Sequence, residues 1–194
     1  MTSFPTIEKI LQADPEVKLY ALNGLATAFA STIEDSMFWC FVAATGKPTA
    51  AAADEFFRHV RFGWKRPLVD GAVHEKLAGS AADDQWAGLD RRLQELLGQD
   101  ENNRNLVSHN SVSLDVYVVA PLSLSMKGRQ IVTVPKVSQS RIQVKRGKRA
   151  DREVGVSDMA DYCSELIQLA LDMEAFLAEA LRYPHSHPER CAHR

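Results

Sequence analysis

Between Asp14 and Gly46 the apolar residues return at steps of three and four. Leu19, Leu22, Ala26, Phe29, Ile33, Met37, Cys40 and Phe41 fall on one side of a helical projection, and that period predicts a single long helix. Asp14-Pro15 supplies the start, with the aspartate as N-cap and the proline in the first turn. Gly46 supplies the stop, and Pro48 forbids continuation. A short leading helix is expected over 4–12. The alanine content of 49–62 predicts another helix ending at Gly63, and 66–79 a further short one closing at Gly79. Asp83 or Asp84 then caps a helix whose apolar side carries Trp86, Leu89, Leu93, Leu96 and Leu97 and continues through Asp100, Arg104 and Val107.

After His109 the period changes. Val112, Leu114, Val116 and Val118 alternate with Ser111, Ser113, Asp115 and Tyr117, the signature of a strand with two unlike faces. Met126 to Arg129 carries a turn signal, and 131–134 and 141–145 predict two more strands. Residues 145–152 form a basic stretch expected to be loop. Ser157 is then expected to cap a closing helix to about Arg182, with Met159, Tyr162, Cys163, Leu166, Leu169, Leu177 and Leu181 on or near its apolar face. From Pro184 the periodicity is gone, and a disordered tail over 184–194 is expected. The fold expectation is mainly α: a helical bundle with a small antiparallel β-meander, about 112–146, inserted between the last two long helices of a single domain, 1–183.

Composition adds limits to that picture. With 194 residues, 45% hydrophobic and 25% charged, the chain suits one soluble globular domain. A formal charge of -2 excludes a uniformly basic coat for nucleic acid but leaves room for a local basic patch. The first residues lack the pattern of a signal peptide, and no apolar run reaches the roughly 18–20 residues of a membrane span. Cys40 and Cys163 sit inside helical patterns and are expected as buried thiols. A cytoplasmic location without membrane partners is the expectation. Thr45-Gly46-Lys47 lacks the upstream glycine of a phosphate-binding loop, and His74-Glu75 lacks the second histidine of a zinc helix. His185, His187, Cys191 and His193 suggest only adventitious chelation, so neither a metal site nor a cofactor is expected.

The one concentration of chemistry is Glu101-Asn-Asn-Arg104-Asn105-Leu-Val-Ser-His109-Asn110. On an ideal helix Asn105 and His109 share a face, whereas Arg104 lines up with Leu93, Leu97 and Asp100 on the inward side. A guanidinium there needs a carboxylate, and Asp100 or an inward-turned Glu34 can provide one. Glu34, next to Ile33, is either a solvated flank residue or a carboxylate paired with a buried cation. Arg104 is likewise open to two readings. It bridges helices as a structural ion pair while His109 caps a helix end, or both groups reach a cleft where arginine meets an anion and histidine exchanges protons.

Arg104-Asn105-Leu106-Val107-Ser108-His109 resembles the Arg-polar-x-x-x-His signature of the HEPN (higher eukaryotes and prokaryotes nucleotide-binding) superfamily, including the polar residue after the arginine. The resemblance covers the helical parts, roughly 15–110 and 156–182, and leaves the strands as an insertion. It implies metal-independent endoribonuclease activity at a homodimer interface, with Arg104, His109 and Asn105 catalytic; Glu34 and Asp100, the carboxylates available to Arg104, are the supporting candidates. RNA and a cognate antitoxin or regulatory protein are the implied partners, in a toxin or phage-defence role. The alternative is a catalytically silent HEPN-like dimerisation and binding module. A third reading is an unrelated helical scaffold. Lys145, Arg146, Lys148 and Arg149 add a basic cluster suited to RNA, or else a solvated charged loop.

Overall fold

Every residue from Ser36 to Val42 is buried, which a helix with a single apolar side cannot achieve. The stretch belongs to the longest element, and its neighbours enclose it all round. The computed structural model describes residues 4–98, 112–117, 136–146 and 149–183. The elements in order are α1 (Pro5–Leu11), α2 (Pro15–Thr45), α3 (Thr49–Phe57), α4 (Phe62–Leu77), α5 (Ala81–Leu93), a π-helical turn (Gln94–Gly98), β1 (Val112–Tyr117), β2 (Lys136–Arg146), β3 (Arg149–Val154) and α6 (Val156–Glu179).

The helices form a bundle with α2 at its centre. α6 packs along α2 over the largest interface, with α4 and α3 on its other sides. One continuous core takes Leu19, Leu22, Ile33 and Met37 from α2, Met159, Leu166 and Met173 from α6, and Val69 and Val73 from α4. Trp39, Phe41, Phe56, Trp86 and Phe176 are its largest fully buried side chains, each contributing roughly 1.5–3 kcal/mol through apolar burial. Trp86 brings α5 into this core. Its ring lies 5.4 Å from that of Phe176, and its indole N–H donates to Asp70 Oδ1 at 3.0 Å, so burial leaves the nitrogen satisfied.

Several boundaries follow the sequence expectation. α2 begins at Pro15 after an extended Asp14 and ends at Gly46. Gly46 adopts φ +63°, which glycine tolerates without a Cβ clash, and its N–H reaches Val42 O at 2.9 Å. Gly79, at φ +74°, closes the turn after α4. Cys40 and Cys163 are both buried thiols, as expected.

Other expectations are corrected. Gly63 ends no helix: α3 stops at Phe57, and Gly63 sits in the first turn of α4. The break leaves Val60 89% exposed and lets Phe62 and Lys65 turn back into the interior. The cap of α5 is Ser80 rather than Asp83 or Asp84, which instead occupy the first turn where the helix dipole favours acids. α6 is capped by Gly155, not Ser157, and the Gly155 N–H donates to Asp158 Oδ2 at 2.9 Å.

The largest difference concerns the strands. The sheet is antiparallel in the order β1-β2-β3, with Val112 opposite Ile142 and Ile142 opposite Val154. The expected meander, with strands at 112–118, 131–134 and 141–145, is not this arrangement. Residues 131–134 lie outside the described residues, and Arg149–Val154 is strand where a basic loop was expected. Arg149-Ala-Asp-Arg-Glu-Val lacks apolar alternation, so pairing with β2 rather than side-chain pattern makes it extended. The expected tail, 184–194, also lies outside the described residues.

Candidate functional site

Asp100, Arg104, Asn105, His109 and Lys148 lie outside the described residues. Three of the four basic positions do have a backbone placement. Lys145 and Arg146 end β2, Arg149 begins β3, and Arg146 stands opposite Arg149 in the ladder. The register therefore gathers them at one end of the β2–β3 hairpin.

Glu34 turns inward, and its carboxylate forms an ion pair with Lys65 of α4. The Lys65 side chain is only 6% exposed, against 27% for Glu34. Its Nζ also lies 5.0 Å from the ring centroids of both Phe56 and Phe57, a geometry in which aromatic faces attract an ammonium. The cation that Glu34 meets is thus a lysine the sequence reading passed over. A signal was present: Lys65 occurs in the row Phe62, Lys65, Val69, Val73, the buried side of α4. A charge on an apolar row calls for a partner on the facing helix.

A second polar group joins α4 to α5. Arg66 Nη1 approaches Asp90 Oδ2 at 3.5 Å, while Asp90 Oδ1 is buried without a hydrogen-bond partner among the described residues. Burial pushes the Asp90 carboxyl above its usual range; Arg66 pulls it back in part, and Asp70 raises it further. Nearer α6, Ser36 donates to Glu174 Oε1 at 2.8 Å, and Arg92 and Gln168 both bond Asp172, at 2.5 and 2.9 Å. Among the described residues no group of three or more His, Cys, Asp or Glu side chains is placed to hold a metal ion.

Aromatic rings run in contact across one end of the bundle. Tyr183 stacks on Trp39 at 5.5 Å, Trp39 meets Phe38 at 4.9 Å, and Phe38 meets Phe57 at 5.2 Å. Backbone geometry after α6 sets this up: Arg182 takes φ +55°, and the Tyr183 N–H returns to Leu177 O at 3.0 Å. Beside these rings a cavity of about 660 Å³ opens between α2 and α3, walled by Asp35, Phe38, Trp39, Thr49 and Phe57. Phe57 is 52% exposed, and Val60 and Trp64 (65%), close after it in the chain, are exposed as well.

Immediately ahead of the 101–110 segment, the helix changes form. Gln94–Gly98 is a π-helical turn, and Tyr162 of α6 donates its hydroxyl to Leu96 O at 3.1 Å. Such a turn holds one residue more than an α-helical path, so any helix continued past Gly98 inherits a phase rotated by about 100°. The expectation that Arg104 aligns with Leu93 and Leu97 assumed an unbroken α-helix; Gln94–Gly98 is π-helical, and Arg104 itself lies outside the described residues. The described helices include none long and apolar enough to cross a membrane. No family model, no curated protein and no solved structure matches the chain.

Proposed function

We propose that the chain is a HEPN-like, metal-independent endoribonuclease acting at a homodimer interface. The observation that carries this reading is the Arg104-Asn105-x-x-x-His109 spacing in a chain that folds as a helical bundle. The π-helical turn just upstream lends support, because such turns concentrate where function demands a local distortion.

In the proposed reaction one His109 takes the proton of a ribose 2′-hydroxyl. The 2′-oxygen bonds to phosphorus as the bond to the 5′-oxygen breaks. The partner's His109, protonated, gives a proton to that leaving oxygen. Arg104 stabilises the charge gathering on the phosphate, and Asn105 orients phosphate or imidazole. The products are a 2′,3′-cyclic phosphate and a 5′-hydroxyl. The hairpin end bearing Lys145, Arg146 and Arg149 supplies a track for the RNA backbone. Glu34 is engaged with Lys65, so its part is to hold α2 against α4, and Asp100 is the carboxylate assigned to Arg104. A toxin or phage-defence role in the cytoplasm, restrained by an antitoxin or regulatory protein, fits this chemistry.

One observation favours the second reading, a catalytically silent binding module: three large apolar side chains close in sequence, Phe57, Val60 and Trp64, are exposed, as residues of a contact surface are in an unbound protein. RNA incubated with purified protein in EDTA separates the two. Cleavage is expected to persist with the chelator and to fall by about 10²–10³-fold in His109→Ala and in Arg104→Ala. Failure of the parent protein to cut any RNA would leave the silent module.

A further inference from the structure

We infer that the cavity between α2 and α3 binds a small organic cation with a flat apolar body, an aryl ammonium or guanidinium compound. Its volume of about 660 Å³ falls in the range of small-molecule sites, roughly 300–1,000 Å³. Its walls are aromatic where they are large: Phe38, Trp39 and Phe57 line it, and their π faces carry negative potential. The remaining wall is cut back by Ala50, Ala53 and Thr49, which leaves open the space where α3 faces α2.

Charge selects among possible ligands. Among the described residues Asp35 is the one charged residue lining the cavity, and no described lysine, arginine or histidine lines it. A phosphate or carboxylate entering there would meet the like charge of Asp35, whereas a cation would meet both a carboxylate and ring faces. Asp35 already has an interaction within the protein. A carboxylate offers about four lone-pair directions, so a further donor is accommodated.

The fold itself gives a precedent for this chemistry on the same ring. The Lys65 ammonium sits 5.0 Å from the Phe57 centroid, with its charge matched by Glu34. Phe57 thus joins an internal cation site to a cavity that combines aromatic walls with its own acid. The inference is independent of the ribonuclease reading.

The test titrates phenyltrimethylammonium into the full chain by calorimetry, with benzenesulfonate as the anion of similar shape. Saturable binding of the cation alone is expected. It should weaken about tenfold in Asp35→Asn, equivalent to about 1.4 kcal/mol, with an unchanged melting temperature, and recover in Asp35→Glu. Phe57→Ala should weaken it as well, since that ring is half exposed and its loss removes a wall. Equal binding of benzenesulfonate, undiminished affinity in Asp35→Asn, or no saturable heat with the cation would each overturn the assignment.

Discussion

Asp90 shows how much depends on the surroundings of a single carboxyl. One oxygen faces Arg66, the other is buried without a partner among the described residues, and burial raises the pKa above the ordinary aspartate value. A folded-state pKa above the unfolded one means that the proton is held more tightly in the native protein. The associated stability is fully present below the unfolded pKa and is lost as pH rises through the folded one. Asp90→Asn cannot ionise and escapes that loss. Its stability relative to the parent is expected to improve as pH is raised from about 3 toward neutrality. Urea unfolding across a pH series checks this, and a constant gap, or one moving in the parent's favour, would refute it. Sequence alone gave no hint of this behaviour, because Asp90 sits beside Leu89 in an otherwise polar run and its environment comes from α4. Lys65, by contrast, was legible in principle from its apolar row on α4.

The ion pair of Lys65 acts between elements, tying α4 to the centre of α2. Removing the lysine takes the cation from the partly buried Glu34 carboxylate and from the faces of Phe56 and Phe57. Lys65→Ala is expected to destabilise the fold by about 2–4 kcal/mol, below the full value for a buried pair because Glu34 keeps some contact with water. Denaturant midpoints measure this, and the double variant with Glu34→Gln should recover part of the loss. Among the elements, periodic apolar residues made α2, α5 and α6 easy to anticipate, and Gly46 marked a true end. Gly63 misled because glycine is as compatible with a helix's first turn as with its end. The strand at 149–154 had no side-chain alternation to announce it. The π-helical turn was equally hidden: Gln94-Glu-Leu-Leu-Gly98 is an ordinary helical run to a period analysis.

For the molecule as a whole, α2 and α6 share the most extensive interface among the described elements, with the Cys163 thiol within it and a second thiol, Cys40, buried on α2. Cys163 donates to Leu22 O at 3.2 Å, and burial pushes its pKa up to about 12. Reaction of either with iodoacetamide near pH 8 requires the bundle to open. Labelling of both is therefore expected to be negligible in the native protein and to appear together across the denaturation transition. Peptide mapping would show this, and rapid native labelling of either would locate a local opening instead. The bundle was readable from the sequence because the apolar residues of its helices recur at steps of three and four. The candidate ribonuclease site was readable only as a motif, since spacing names residues without orienting them. The cavity was not readable at all, because Asp35, Thr49 and Phe57 meet only when α3 folds back on α2.

The turn at Gln94–Gly98 bears on how such a motif can evolve. One surplus residue acts as a rotary offset on whatever helix follows: a single inserted or deleted codon re-aims the downstream side chains by about 100° and changes none of them. Selection can then steer the bearing of a short functional segment without altering its letters.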